Sequence, residues 1–318
     1  MLQEIILFFI GFPFLIKGAD FLVEGASSVA RRFRVSSLFI GLTIVAFGTS
    51  FPELIVNIFA SLQGAPDLAI SNIIGSNIAN TLLILGAAAI FRPIVLSPGT
   101  AQREIPLSFL AGIVVLVMAN DFIIDNAPLS VLSRIDGIIL IAFFSIFLYY
   151  AFAISGVEGK EEAEKEKISL LQSVLMIGLG LVGLFFGGKW VVDGAVFAAG
   201  FFGVSETLIG LTIVAVGTSL PELVTSVVAA MKKEADIAVG NILGSNIFNI
   251  FWILGLSALI NPIPFNAVLN FDIIFFLIST ILFLALAYSR KKYELDYWEG
   301  GIMLFIYVAY VFFLISRG

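Results

Sequence analysis

An internal duplication constrains this chain more than any other feature of its sequence. The stretch GLTIVAFGTSFPEL at residues 41–54 recurs as GLTIVAVGTSLPEL at residues 210–223. The same offset of 169 residues (210 − 41) continues without a gap, and 25 of the 46 residues in 41–86 are identical to their counterparts in 210–255. Each copy carries one glutamate in an otherwise apolar segment. The fold must therefore place the same acidic group twice where water is scarce.

The composition is that of a membrane protein, with 60% hydrophobic and only 13% charged residues. A helix needs about 20 mainly apolar residues to cross a bilayer, whereas a β-barrel would alternate polar and apolar residues along its strands. We predict an all-α, multi-pass protein of the cell membrane with ten transmembrane helices. These helices are expected near residues 3–25, 38–62, 68–90, 104–120, 133–155, 169–195, 207–230, 236–259, 269–288 and 297–315.

The distribution of lysine and arginine predicts the orientation, because cytoplasmic loops carry an excess of these residues. The odd-numbered loops hold 13 of the 17 basic residues, and the opposite face receives only Arg134 and Arg317. Lys17 and Lys189 fall within predicted membrane segments. Both chain termini are therefore expected outside.

Five predicted helices lie on each side of a charged run, GVEGKEEAEKEK at residues 156–167. An odd number of helices per half brings the second copy into the membrane from the opposite side, so the halves should be inverted repeats. We expect a first repeat over residues 1–155, a charged cytoplasmic linker over 156–168 and a second repeat over 169–318. In transporters of this design the substrate site forms near the bilayer midplane, on interrupted helices where the repeats meet.

The motif GTS-x-PE predicts such interruptions in the second and seventh helices. Pro52 cannot donate a backbone hydrogen bond, and its ring displaces the carbonyl four residues earlier, that of Gly48. Pro221 occupies the matching position in the second copy. Carbonyls freed at membrane depth are tolerated only where they are buried in protein or line a wet cavity. We expect free carbonyls that act as ligands over two stretches, Ala46 to Thr49 and Ala215 to Thr218.

Hydroxyl and amide oxygens accompany these carbonyls. Thr49 and Ser50 lie beside Glu53, and Ser76 precedes Asn80 by four residues, which places that pair on one helix face. The matching residues of the second copy are Thr218, Ser219, Glu222, Ser245 and Asn249. A shell of carboxylate, carbonyl, hydroxyl and amide oxygens suits Ca²⁺, Na⁺ or Mg²⁺ and disfavours zinc or copper.

The paired glutamates are the strongest indication of function. An acidic residue at the centre of a membrane helix costs about 2.5–3.5 kcal/mol, and two facing carboxylates repel each other unless a cation joins them. One Ca²⁺ would balance both charges and usually takes about 6–8 oxygens. Several Na⁺ ions could use the same oxygens, so the charges permit competition between the two cations.

Several classes of protein are disfavoured. The chain contains neither Cys nor His, so disulfides, thiolate metal sites and His-based zinc motifs are excluded. The net charge of the chain is −6, and the sequence indicates no basic face that could bind nucleic acid. We expect a protein that is not an enzyme, has no cofactor, and functions as a monomer in the lipid bilayer. An intramembrane hydrolase that activates water with its paired carboxylates is a minor alternative.

The paired GTS-x-PE and GSN-I-x-N motifs resemble the two α-repeats of the sodium/calcium exchangers, within the cation/calcium antiporter superfamily. The resemblance spans nearly the whole chain and is greatest for the compact prokaryotic members. It implies ten transmembrane helices and electrogenic exchange of about three Na⁺ for one Ca²⁺. It also implies a site between helices 2, 3, 7 and 8, and sliding of helices 1 and 6 that exposes this site to each side in turn.

The matching motifs imply a role for each site residue. Glu53 and Glu222 would be central ligands shared by Ca²⁺ and Na⁺, and the carbonyls of Thr49 and Thr218 would also bind Ca²⁺. Each outer sodium position would combine one carbonyl with two serine hydroxyls: Ala46 with Ser50 and Ser76, and Ala215 with Ser219 and Ser245.

Asn80 and Asn249 would complete the middle of the site, where water or a third ion can sit. Some prokaryotic members carry Asp where this chain has Asn249, and potassium-dependent exchangers are acidic there too. Asn249 therefore argues against potassium co-transport.

Two other transport functions are open to test. A calcium/proton antiporter of the same superfamily is the nearest alternative because glutamates can exchange protons, although such members usually carry a different acidic motif. A cation channel is less favoured, since symmetric halves around one buried site suit alternating access better than an open pore.

Overall fold

Helices make up almost all of the described structure. The computed structural model describes residues 2–63, 66–124, 128–156, 168–201 and 215–317. The helices of the first half are α1 (Leu2–Phe33), α2 (Ser37–Thr49), α3 (Phe51–Leu62), α4 (66–91), α5 (Thr100–Met118), α6 (Asp121–Ile124) and α7 (Arg134–Ser155). Those of the second half are α8 (Leu170–Phe201), α9 (Ala215–Thr218), α10 (Leu220–Met231), α11 (Ala235–Ile260), α12 (Leu269–Ala287) and α13 (Tyr297–Arg317).

The apolar helices lie where the sequence predicted membrane crossings. Within the described ranges, eight helices are long and apolar enough to span a bilayer, and the bent pair α2 and α3 makes a ninth span. The remaining predicted crossing, the seventh in chain order, near 207–230, begins in residues outside those ranges. Its main described part is α10. Residues 157–167 of the predicted linker also lie outside them. The count of ten helices therefore stays a prediction.

Two long helices form the centre of the molecule. In α4 and α11, 78% and 83% of the most apolar stretch is buried, against 28% in each of α1, α7, α8 and α13. Both helices carry buried polar side chains, such as Asn77 and Asn246, and polar groups within a membrane face the interior of the helix bundle. The outer helices instead expose large apolar side chains, such as Phe305 and Ile135, at 75% and 70% of their surface. This surface suits lipid contact.

The central helices widen into π-helical turns at matching points. Ala79–Ile84 form such a turn in α4, and Phe248–Leu254 form one in α11. A third π-helical turn, Thr100–Glu104, opens α5. Single π-turns inside α-helices occur frequently at functional sites, so these turns mark candidate positions for a functional site.

Short antiparallel strands join the two halves. β1 (Ile94–Val95) pairs with β4 (Glu294–Leu295), and β2 (Val131–Leu132) pairs with β3 (Ile263–Pro264). β1 follows α4, and β3 follows α11 at the position 169 residues later (263 − 94). Each half therefore contributes the equivalent strand to a pair with the other half.

Glycines bring the backbones of α1 and α8 into direct contact. A Cβ on Gly18 would lie 2.8 Å from the carbonyl oxygen of Gly180, and a Cβ on Gly180 would lie 2.7 Å from that of Gly18. Farther along the same pair, the hydroxyls of Ser28 and Ser173 are hydrogen-bonded at 2.7 Å. Small residues at a helix interface allow such close approach within membranes. α1 and α8 thus pack as one tight pair.

We expect Gly180→Ala to lower the thermal stability of the protein. The added methyl would press on the backbone of α1, and such overpacking typically costs about 1–3 kcal/mol. Gly178→Ala on the same helix is the matched control, because nothing lies within 4 Å of that position. Alanine's better helix propensity should leave the control unchanged or more stable by up to about 1 kcal/mol. Equal melting temperatures for the two purified variants in detergent would contradict the close packing.

Candidate cation-binding site

Both GTS-x-PE motifs interrupt a helix. The axis bends by 48° between α2 and α3, and Ser50 at the junction has φ −80° and ψ 9°. Ser219 separates α9 from α10 with nearly the same backbone angles, φ −88° and ψ 7°. Pro52 and Pro221 lie in the first turn of the helix that follows each break. The predicted interruptions are confirmed.

The first break leaves the Ala46 carbonyl hydrogen-bonded, although we expected this carbonyl to be free. That carbonyl accepts the backbone N–H of Ser50 at 3.0 Å and the hydroxyl of Thr49 at 3.4 Å. The reason is local, because a proline removes only the donor to the carbonyl four residues before it. For Pro52 that carbonyl belongs to Gly48. In the second copy, Ala215 and Thr218 are the first and last residues of α9.

The two glutamates are brought together across the halves. Glu53 and Glu222 are both 1% exposed and lie in the first turns of α3 and α10. The hydroxyl of Ser50 donates to Glu222 Oε1 at 2.8 Å, and the hydroxyl of Ser219 donates to Glu53 Oε1 at 3.3 Å. Each half therefore supplies the donor for the carboxylate of the other half. The positive ends of the two helices also favour negative charge at these positions.

The other two serines extend this exchange of partners. Ser219 also donates to the hydroxyl of Ser76 at 3.3 Å, and Ser245 donates to Glu222 Oε1 at 3.5 Å. These hydrogen bonds group Ser76 with Ser219 and Ser50 with Ser245. The expected outer positions instead paired Ser50 with Ser76 and Ser219 with Ser245. All four serines are buried beside the carboxylates.

Asparagines of the two central helices form a layer next to the glutamates. Asn80 donates its amide to Asn246 Oδ1 at 3.1 Å, and Asn249 donates its amide to Asn77 Oδ1 at 3.0 Å. Asn77 also donates to the backbone carbonyl of Asn246 at 3.1 Å. Asn80 and Asn249 lie in the π-helical turns of α4 and α11. Because their nitrogens are engaged, their carbonyl oxygens are left for another ligand.

Four buried oxygens in this region have no hydrogen-bond partner in the described part of the protein. They are Glu53 Oε2, Glu222 Oε2, Asn80 Oδ1 and Asn249 Oδ1. Buried polar atoms are nearly always paired, and a buried carboxylate without compensation is especially costly. Two acidic and two amide oxygens form a hard donor set that fits Ca²⁺ or Na⁺. No group of three or more acidic, His or Cys side chains arises in the described ranges.

Sequence reasoning missed three asparagines of this region. Asn77 and Asn246 hold the asparagine layer together, and Asn241 accepts the Thr49 hydroxyl at 2.9 Å while donating to Ser226 at 3.0 Å. The signal that could have found them was identity between the repeats, since Asn77 matches Asn246 and Asn241 matches residue 72. Their hydrogen bonds fix the positions of Thr49, Asn80 and Asn249, which motif spacing alone does not show.

A cavity of about 230 Å³ adjoins the site. Its lining includes Thr218, Pro52 and Pro221 beside the helix breaks, and also Lys189 and Asp193 of α8, which form an ion pair at 2.6 Å. Both ion-pair side chains are more than half exposed. The cavity therefore connects the surface of α8 with the helix breaks.

The chain is similar to known membrane transporters along its whole length. A sequence model of the family described as sodium/calcium exchanger protein matches residues 4–153 and 172–316. The putative antiporter CaxA of Alkalimonas amylolytica is 38% identical over 330 residues, which cover 99% of this chain and 100% of that protein. The sodium/calcium exchanger MaX1 of Methanosarcina acetivorans is 33% identical over 335 residues, covering 95% of each.

A solved structure shares the fold. The sodium-calcium exchanger NCX_Mj, soaked with Na⁺ and Ca²⁺, superposes with a TM-score of 0.83 at 32% identity. The superposition covers 97% of both chains.

We expect Asn246→Ala to destabilise the protein by about 1–3 kcal/mol, because the buried amide of Asn80 loses its acceptor. Thr81 also loses a donor, since the Asn246 amide bonds its hydroxyl at 3.1 Å. Asn261→Ala is the control, as the side chain of that exposed residue makes one hydrogen bond, to the Ser61 carbonyl. Thermal unfolding of the purified variants measures the difference. The asparagine layer would lose its structural importance if both variants melted alike.

Proposed function

This chain belongs to the sodium/calcium exchanger family of membrane antiporters, and we propose that it exchanges Na⁺ for Ca²⁺ by alternating access. It is a multi-pass membrane protein. The observation that carries the proposal is the meeting of Glu53 and Glu222 at two interrupted helices, each with one buried oxygen that has no partner among the described residues. NCX_Mj and MaX1 bear the names of sodium/calcium exchangers, which supports the same pair of ions here.

Charge balance explains why the two ions would compete. One Ca²⁺ neutralises both carboxylates, whereas Na⁺ ions bring one charge each and must share the same oxygens. We infer that Glu53 and Glu222 are the shared ligands and that about three Na⁺ replace one Ca²⁺, as the family resemblance implies. Ion occupancy then biases the equilibrium between the outward-open and inward-open states, because each state binds the ions differently.

The remaining ligands surround the glutamates. We infer that the carbonyls of Thr49 and Thr218 bind Ca²⁺ and that the serines beside each carboxylate serve Na⁺. The full proposed set is Glu53, Glu222, Thr49, Thr218, Ser50, Ser219, Ala46, Ala215, Ser76, Ser245, Asn80 and Asn249. The second lone pair of the Ala46 carbonyl accepts only the long hydrogen bond from the Thr49 hydroxyl, at 3.4 Å, and we assign that lone pair to Na⁺. We propose that the protein functions as a monomer without a cofactor.

Inverted repeats fit the symmetry of the contacts. The crossed serine–glutamate and asparagine–asparagine bonds each occur twice with the halves exchanged, and so do the pairs β1–β4 and β2–β3. We propose ten helices in two inverted repeats, residues 1–155 and 169–318, with a cytoplasmic linker between them and both termini outside. Movement of the tight pair α1 and α8 along the other helices would expose the site to each side.

We expect Glu53→Gln or Glu222→Gln to abolish Na⁺-driven Ca²⁺ uptake, because one carboxylate cannot balance a divalent ion. Uptake of radioactive calcium into proteoliposomes under an outward Na⁺ gradient measures this. Glu294→Gln is the control, since that residue pairs with Lys291 at the surface. Undiminished flux in either site variant would reject the shared-ligand proposal.

The same vesicles separate the competing transport functions. An outward Na⁺ gradient should drive uptake, and a pH gradient imposed without Na⁺ should not. The opposite pattern would identify a calcium/proton antiporter. Single-channel currents in planar bilayers that carry far more ions per second than a transporter can turn over would identify a channel.

Replacing K⁺ by choline on both sides should leave Na⁺-driven Ca²⁺ uptake unchanged. The reason is that Asn249 supplies a neutral amide rather than a third carboxylate for an additional cation. Initial rates over a range of K⁺ concentrations measure the dependence, and a rate that rises with K⁺ would show co-transport. Asn249→Asp tests the cause, since the added charge should create a K⁺ dependence that the parent chain lacks.

A further inference from the structure

A second fully buried acid lies away from the glutamate pair. Glu104 is at the end of the π-helical turn of α5 and is 0% exposed. The hydroxyl of Tyr150 on α7 donates to its Oε1 atom, while its Oε2 atom is buried and has no partner among the described residues. The neighbouring Arg103 is exposed, and its guanidinium lies beside Gly99. No described cation compensates the charge of Glu104.

A comparable buried acid of the second half is compensated. Asp272, in the first turn of α12, accepts the hydroxyl of Tyr310 on α13 at 2.9 Å. Arg317 of the same helix binds both of its carboxylate oxygens, at 2.9 and 3.3 Å. Each half thus holds a buried acid against a tyrosine of its last helix. Only Asp272 also has an arginine within the described structure.

Other oxygens without a hydrogen-bond donor lie on the same helix near Glu104. Ser108 lies one helical turn farther along α5, is 1% exposed, and has a buried hydroxyl without a partner in the described ranges. The N–H of Ile105 donates to the Thr100 carbonyl in the π register. Pro106, the next residue, has no N–H, so the Ala101 carbonyl loses its donor in that register.

We propose that Glu104, Ser108, Tyr150 and the Ala101 carbonyl bind a Na⁺ ion at a site separate from the exchange site. Ala101, Glu104 and Ser108 are three and four residues apart, which places them on one face of α5. The single negative charge selects a monovalent ion, and the oxygen donors suit an alkali cation. The ion would hold α5 against α7, as Arg317 holds α13 against α12.

The test uses the Glu53→Gln/Glu222→Gln double variant, in which the proposed exchange site no longer contributes carboxylates. Its melting temperature in lipid nanodiscs should rise with NaCl when choline chloride keeps the ionic strength constant, because a ligand that binds the folded state stabilises it. Adding Glu104→Gln should remove this rise. An equal rise with and without Glu104 would overturn the proposal.

A milder change guards against a failure of the Glu104 variant to fold. Ser108→Ala should raise the half-maximal NaCl concentration several-fold, and Ser145→Ala should not, since Ser145 on α7 is exposed and bonds only its own helix. An unchanged response to Ser108→Ala would count against the site. Infrared spectroscopy tests for a proton instead of Na⁺. A carboxylic-acid band that Glu104→Gln removes and saturating NaCl leaves unaltered would overturn the proposal.

Discussion

Two carboxylates held together away from water are the constraint on which this structure depends. Removing each charge from water costs several kcal/mol. A hydrogen bond to a charged group returns about 1.5–3 kcal/mol, and a helix end returns about 0.3–1 kcal/mol, rarely 2. One serine for Glu53, two for Glu222 and one helix end for each therefore offset only part of the cost and leave the mutual repulsion. Binding of a cation between the carboxylates, as proposed above, would supply the remaining stabilisation.

The duplication provides this arrangement without completing it in either half. Ser50 serves the glutamate of the second half, and Ser219 serves that of the first. The asparagines follow the same rule, because each amide donates across the interface between α4 and α11. One repeat alone would therefore bury a carboxylate with no donor from its partner. Site assembly and association of the halves are the same event.

Much of the fold could be predicted because the relevant signals are local. Apolar runs fixed the helix positions, and Pro52 and Pro221 marked the breaks through their missing N–H groups. The partner exchange could not be predicted, since the spacing between Ser50 and Ser76 says nothing about which half each hydroxyl faces. Asn77 and Asn246 were visible as repeated residues, but their bonds depend on how the central helices pack. The expectation of a free Ala46 carbonyl was avoidable, because Pro52 removes the hydrogen-bond donor to the Gly48 carbonyl and not the donors to its neighbours.

The small strand pairs limit how the molecule can move. One pair ties the end of α4 to the approach to α13, and the other ties the end of α11 to the approach to α7. The two strand pairs occupy equivalent positions in the two halves. Rotating the halves away from each other would therefore break main-chain hydrogen bonds in both pairs. Sliding of α1 and α8, which are not adjacent to these strands in the chain, would leave both strand pairs intact. The other helices are thereby suited to stay fixed while α1 and α8 move.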